Sequence, residues 1–172
     1  MVERMIGNPA PRFEMKAVLP SREFGTVSLE ENMKKDRWTV LIFYPMNFSQ
    51  SSPAELTAFS DRHVEFAELN AEVIGVSTDT VHAHLAWVGI ARKNNGPGGL
   101  NFPLASDRKL AVSREYGMLI EEEGIALRGL FIISPEGELR YQTAFREDIG
   151  RDIDETLRVL QGLQMGGRRA AN

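Results

Sequence analysis

The chain contains no cysteine. No disulfide, thiolate metal site or thiol nucleophile can form within it. Basic residues are not in excess: 20 Lys and Arg stand against 24 Asp and Glu, for a net charge of −4. That balance argues against a nucleic-acid or anionic-membrane partner. No apolar run is long enough to span a bilayer, and Met1-Val2-Glu3-Arg4-Met5 lacks the basic-then-apolar order of a signal peptide. A cytoplasmic location is the expectation. Internal repeats and low-complexity segments are also missing. What remains is an ordinary globular composition, 42% hydrophobic and 26% charged over 172 residues, enough for one domain with a sizeable core.

The most informative stretch is 38–60. Trp38 to Tyr44 is a continuous apolar run rich in β-branched and aromatic residues, the pattern of a strand buried on both faces. Pro45 ends it. Ser51 or Ser52 then opens a helix, with Pro53 at its first position and Glu55 in its first turn. A strand, a short loop and a helix N-terminus follow one another, and exposed N–H groups at such a terminus favour negative charge.

Pro45, Ser49, Ser52 and Pro53 fall at the spacing of the peroxiredoxin active-site loop, and the segment resembles the alkyl hydroperoxide reductase C / thiol-specific antioxidant family, typical 2-Cys type. In that family Ser49 is a threonine and Ser52 is the peroxidatic cysteine. The N-terminal Gly7-Asn8-Pro9-Ala10-Pro11-Arg12-Phe13 is similar to the family's opening segment, and the likeness covers nearly the whole chain. It implies a thioredoxin fold of peroxiredoxin type: an α/β domain over 1–164 with a central mixed β-sheet flanked by helices, followed by a flexible tail at 165–172.

The order of elements read from the residues agrees with that fold. Met15–Val18 and Thr26–Leu29 form an entry hairpin with Gly25 in the turn. Pro53–Asn70 reads as one long helix, with Leu56, Phe59, His63, Phe66 and Leu69 on one face. Ala71–Ser77 is a strand, and Thr78-Asp79-Thr80 caps a helix running to about Lys93. Asn94–Leu100 is a turn-rich loop. A helix begins at Asp107, Met118–Ala126 is a loop, and Leu127–Ile133 is an apolar strand. Ser134–Gly137 turns the chain into an antiparallel edge strand at Glu138–Ala144, and Gly150–Leu163 is the last helix.

The same resemblance assigns roles. Pro45 shields the site from water, and the Ser49 hydroxyl keeps the hydrogen bond to peroxide. Arg128, at the start of the strand Arg128-Gly129-Leu130-Phe131-Ile132-Ile133, faces position 52 and hydrogen-bonds the oxygen there. Glu55 is either a helix-start acid or, by the resemblance, a partner in the arginine network, and Arg151 takes the second arginine position or is a plain surface arginine. Arg169 stands where the resolving cysteine belongs, so both active cysteines are missing. His63 reads as structural. His82 and His84 point to different helix faces, so neither a metal nor a cofactor is implied.

Three functions are open. The first is a cysteine-less relative acting as a binding, scaffold or chaperone-like subunit. The second is an inactivated form of a thioredoxin-dependent peroxiredoxin that reduces hydrogen peroxide and alkyl hydroperoxides. The third is a serine hydrolase, ranked last because nucleophilic serines need an adjacent base. For partners, the resemblance implies a homodimer through the edge strand, a ring of such dimers in some members, or association with an active peroxiredoxin.

Overall fold

The computed structural model describes residues 4–146 and 152–171. Its centre is a seven-stranded mixed sheet whose strands lie in the order β2 (Phe24–Ser28), β1 (Glu14–Val18), β5 (Leu104–Ser106), β4 (Ala71–Ser77), β3 (Trp38–Phe43), β8 (Arg128–Ile133), β9 (Leu139–Phe145). β1 (Glu14–Val18) and β2 (Phe24–Ser28) form the entry hairpin, followed by the short helix α1 (Leu29–Lys34). β3 (Trp38–Phe43) occupies the interior of the sheet, parallel to β4 (Ala71–Ser77) and antiparallel to β8 (Arg128–Ile133). β5 (Leu104–Ser106) lies parallel to β4, and β9 (Leu139–Phe145) closes the far edge beside β8.

The apolar run of β3 is explained by two cores. Val40 and Ile42 face one layer with Leu56, Phe59, Trp87, Leu157 and Leu160. Leu41 and Phe43 face the other, with Leu29, Val112, Tyr116 and Phe131. Alternate side chains of a strand point to opposite faces, so a strand covered on both sides must be apolar throughout. The mixed sheet between helices and the edge position of β9 agree with the expected thioredoxin arrangement.

Several boundaries differ from the sequence reading. The expected helix Pro53–Asn70 is two helices, α2 (Ser52–Asp61) and α3 (His63–Glu68), with Arg62 between them at φ −107, ψ 16. Asn101 accounts for the position of the break. Its backbone N–H donates to the Ser60 hydroxyl at 2.8 Å and its amide to the Ser60 carbonyl at 3.1 Å. That carbonyl belongs to the last turn of α2, where it also accepts a backbone N–H at the helix end. α4 (Val81–Val88) is capped by Thr80 as expected, but stops at Gly89, and a separate 3-10 turn spans Arg92–Asn94.

α5 (Ala111–Glu115) starts later than Asp107, because Leu110 takes a left-handed φ of 66. Asp107 instead receives the N–H groups of Val112 and Ser113 at 3.2 and 2.6 Å. The loop 118–126 holds a small hairpin, β6 (Leu119–Ile120) and β7 (Ile125–Ala126). Gly25 lies within β2, and the turn is made by Arg22 at φ 70. The last helix, α6, runs Ile153–Ala171. The backbone of 165–171 therefore continues the helix where a flexible tail was expected.

Candidate active site

The loop 45–51 lies where β3 ends and α2 begins. Parallel pairing of Phe43 with Val76 sets this loop beside the one that follows β4. Contacts between the two loops fix its course. The Asn47 N–H donates to Asp79 Oδ2 at 2.9 Å, and the Ser77 hydroxyl donates to the same oxygen at 2.6 Å. The Tyr44 hydroxyl donates to Asn47 Oδ1 at 2.6 Å. The Asn47 amide donates to His84 Nδ1 at 2.9 Å, and His84 Nε2 donates to the Ala105 carbonyl at 2.9 Å. A carbonyl only accepts, so Nε2 carries the proton and Nδ1 is the acceptor.

His84, Tyr44 and Asn47 are all buried. Burial pushes the His84 pKa down, against the opposing pull of the Ala105 carbonyl and the Asp79 charge. Burial likewise pushes the Tyr44 hydroxyl well up. The imidazole is thus neutral and engaged at both nitrogens. Phe48 adopts a left-handed φ of 65 and stands over Trp87, with ring centroids 6.4 Å apart.

Ser52 begins α2 and is fully buried. Its hydroxyl donates to the Met46 carbonyl at 3.0 Å, and its N–H donates to Ser49 Oγ at 3.1 Å. The two hydroxyl oxygens of Ser49 and Ser52 are 2.5 Å apart. Since the Ser52 proton is directed to Met46, the Ser49 hydroxyl donates to Ser52 Oγ. Both hydroxyl protons are used, and neither acceptor is a base. Pro45 is half-buried at the loop entrance.

Arg128 and Glu55 are in direct contact. Arg128 Nε donates to Glu55 Oε1 at 2.8 Å, with both side chains largely buried. The same guanidinium donates to the Arg146 carbonyl at 3.2 Å. Its Nη2 donates to Ser51 Oγ at 2.9 Å. This corrects one expectation: the serine that Arg128 holds is Ser51, and not Ser52. Ser51 is the residue before the helix and caps it with no side-chain bond, so its hydroxyl is available to the arginine. Arg151 lies outside the described residues. Arg169 falls within the backbone of α6, and its side chain lies outside them as well.

The sequence reading missed the Asn47–His84–Asp79 linkage. Its signal was the parallel order of β3 and β4, which makes neighbours of the loops after them. His63 is remote in role: it starts α3, and its Nδ1 is buried without a hydrogen-bond partner. Among the described residues no group of three or more His, Asp or Glu side chains is placed to hold a metal ion.

The family model described as the AhpC/TSA family matches residues 6–142. YkuU of Bacillus subtilis (strain 168), which bears a peroxiredoxin name, is 69% identical over 172 residues, covering 100% of this chain and 96% of its own. The chloroplastic 2-Cys peroxiredoxin BAS1 of Spinacia oleracea is 50% identical over 163 residues, covering 95% of this chain and 61% of its own. Among solved structures, the reduced Plasmodium vivax 2-Cys peroxiredoxin superposes with a TM-score of 0.92 at 30% identity, over 96% of this chain and 99% of that one. Enterococcus faecalis AhpC gives a TM-score of 0.90 at 31% identity, over 98% of this chain and 97% of that one.

Proposed function

Because the chain belongs to the AhpC/TSA family of peroxiredoxins, we propose that it is a non-peroxidatic member that works through its surface and its assembly, as a binding or scaffold subunit. One observation carries the reading. The atom at the peroxidatic position is the buried hydroxyl oxygen of Ser52, whose proton rests on the Met46 carbonyl with no base beside it. A serine hydroxyl in that setting does not ionise near neutral pH. It also has no counterpart to the sulfenic acid through which a thiol carries peroxide oxygen. A hydrolase is disfavoured for the same reason, since the imidazole of His84 is occupied at both nitrogens.

The second reading, an inactivated thioredoxin-dependent peroxiredoxin acting on hydrogen peroxide and alkyl hydroperoxides, is favoured by the retained Ser49 hydroxyl and the Arg128–Glu55 pair. For assembly, the edge strand β9 alternates half-buried and exposed residues over Tyr141–Phe145 and suits pairing with a second copy. A homodimer, with a ring of dimers or an active peroxiredoxin as the larger assembly, is the expected form. Among the described residues no helix is long and apolar enough to cross a membrane.

The direct test is peroxide consumption by the purified protein with a thioredoxin-type donor, run beside its mass in solution. The expected result is no consumption above buffer and a mass of at least two chains. Catalytic turnover of peroxide overturns the proposal.

A further inference from the structure

The far end of the central strands carries a second cluster of charged groups in a cleft of about 590 Å³. The cleft lies where β5 is too short. β4 pairs with β5 only from Gly75 to Ser77. Along β4, the Asn70 and Val76 carbonyls receive the N–H groups of Trp38 and Tyr44, so even-numbered residues face β3. The Gly75 N–H reaches Pro103 and the Ser77 carbonyl receives Asp107, so odd-numbered residues face the β5 side. Ala71 and Val73 therefore turn their main-chain groups toward a place with no strand, and both line the cleft.

The side chains around this gap are incompletely matched. Arg37 and Glu72 approach at 3.8 Å, beyond hydrogen-bond distance, with 48% and 25% of their side chains exposed. Lys35 stands beside them. Burial raises the pKa of Glu72, against the pull of Arg37, Lys35 and His63. His63 lines the same cleft and has a ring nitrogen without a partner. Leu19, Val27 and Phe102 supply apolar walls. A half-buried carboxylate and an arginine that pair loosely without a hydrogen bond, a lysine beside them and an apolar wall together suit a zwitterion with an apolar substituent.

We propose that this cleft binds a free α-amino acid with an apolar side chain. Its ammonium group is taken by Glu72 and its carboxylate by Arg37 and Lys35. The close spacing of Arg37 and Glu72 suits charges carried one carbon apart. The substituent lies against Leu19, Val27 and Phe102, and the ligand backbone fills the gap beside Val73. The site stands at the opposite end of β3 and β4 from Ser52, and nothing in it depends on how the Ser52 site is read.

The test is an amide NMR titration of the intact chain with L-leucine, with isocaproate (leucine without its amine) and with isoamylamine (leucine without its carboxylate). Leucine is expected to shift the amides of Val73, His63 and Asn101, with each half-ligand binding about tenfold more weakly or less. Glu72→Gln should bring leucine down to the level of isocaproate. Arg37→Gln should bring it down toward isoamylamine. Should either variant lose its native spectrum, the three-ligand series on the unaltered protein still decides. No shift in these amides at millimolar leucine, or isocaproate binding as well as leucine, overturns the proposal.

Discussion

Arg128 and Glu55, 73 positions apart in sequence, form a buried ion pair at 2.8 Å, and the serine the arginine also holds is Ser51 rather than its neighbour Ser52. The pair joins the first strand residue of β8 to the first turn of α2. Their side chains are only 11% and 4% exposed. Losing the arginine removes a buried hydrogen bond between charged groups, a loss of about 1.5–3 kcal/mol. Arg128→Met is therefore expected to lower unfolding stability by that order, measured by urea denaturation. Ser51→Ala, which removes only a hydroxyl acceptor, should cost about 1 kcal/mol.

Ser52→Cys restores sulfur at the start of α2. The Ser49 hydroxyl and the N-terminal end of the helix favour a thiolate there, so the new thiol is expected to titrate below the usual value of about 8.5. A single equivalent of hydrogen peroxide should convert it to a sulfenic acid, detectable by dimedone labelling and mass spectrometry. With no other cysteine in the chain, no intramolecular disulfide can follow. Failure of the variant to react would trace the proposed inertness toward peroxide to the loop as a whole and not to position 52 alone.

Ser49 holds the loop to the helix through its bond to the Ser52 N–H at 3.1 Å. This is one of the helix's free N–H groups, and the hydroxyl satisfies it from outside the helix. Ser49→Ala should cost about 1 kcal/mol, the usual size of a lost cap. Ser49→Thr keeps the oxygen and adds the methyl that stiffens its rotamer. It is expected to unfold at equal or higher urea concentration than the unaltered chain, and loop amides from 46 to 52 should exchange more slowly.

The parts of this fold that the sequence disclosed are those set by local pattern. Trp38–Phe43 could be assigned because a strand covered on both faces must be apolar at every position. The start of α2 could be assigned because Ser51, Ser52 and Pro53 carry helix-start chemistry. What stayed hidden depends on partners far along the chain. The break at Arg62 accompanies bonds from Asn101, 41 positions from Ser60. The course of the active-site loop depends on His84, 37 positions from Asn47. Ser51 and Ser52 are adjacent, and only helix geometry decides which one turns toward Arg128.

The His84 contact gives the loop a pH dependence whose sign is fixed. Native His84 is neutral, with Nδ1 accepting from Asn47 and Nε2 donating to Ala105. Its folded pKa is lowered, first by burial, whereas the unfolded chain has the ordinary value of about 6.5. Between those two values the unfolded state binds more protons, so stability falls as pH falls through the window. The contribution is complete above about pH 6.5 and is lost as the pH drops toward the folded value. Protonation sets Nδ1–H against the Asn47 amide N–H, which releases one anchor of the loop; the Asp79 charge and the Tyr44 hydroxyl face the same network. Urea unfolding across this range should show the decline, and His84→Gln should flatten it while lowering stability at neutral pH. A decline of equal size in both proteins would assign the acid sensitivity to other groups.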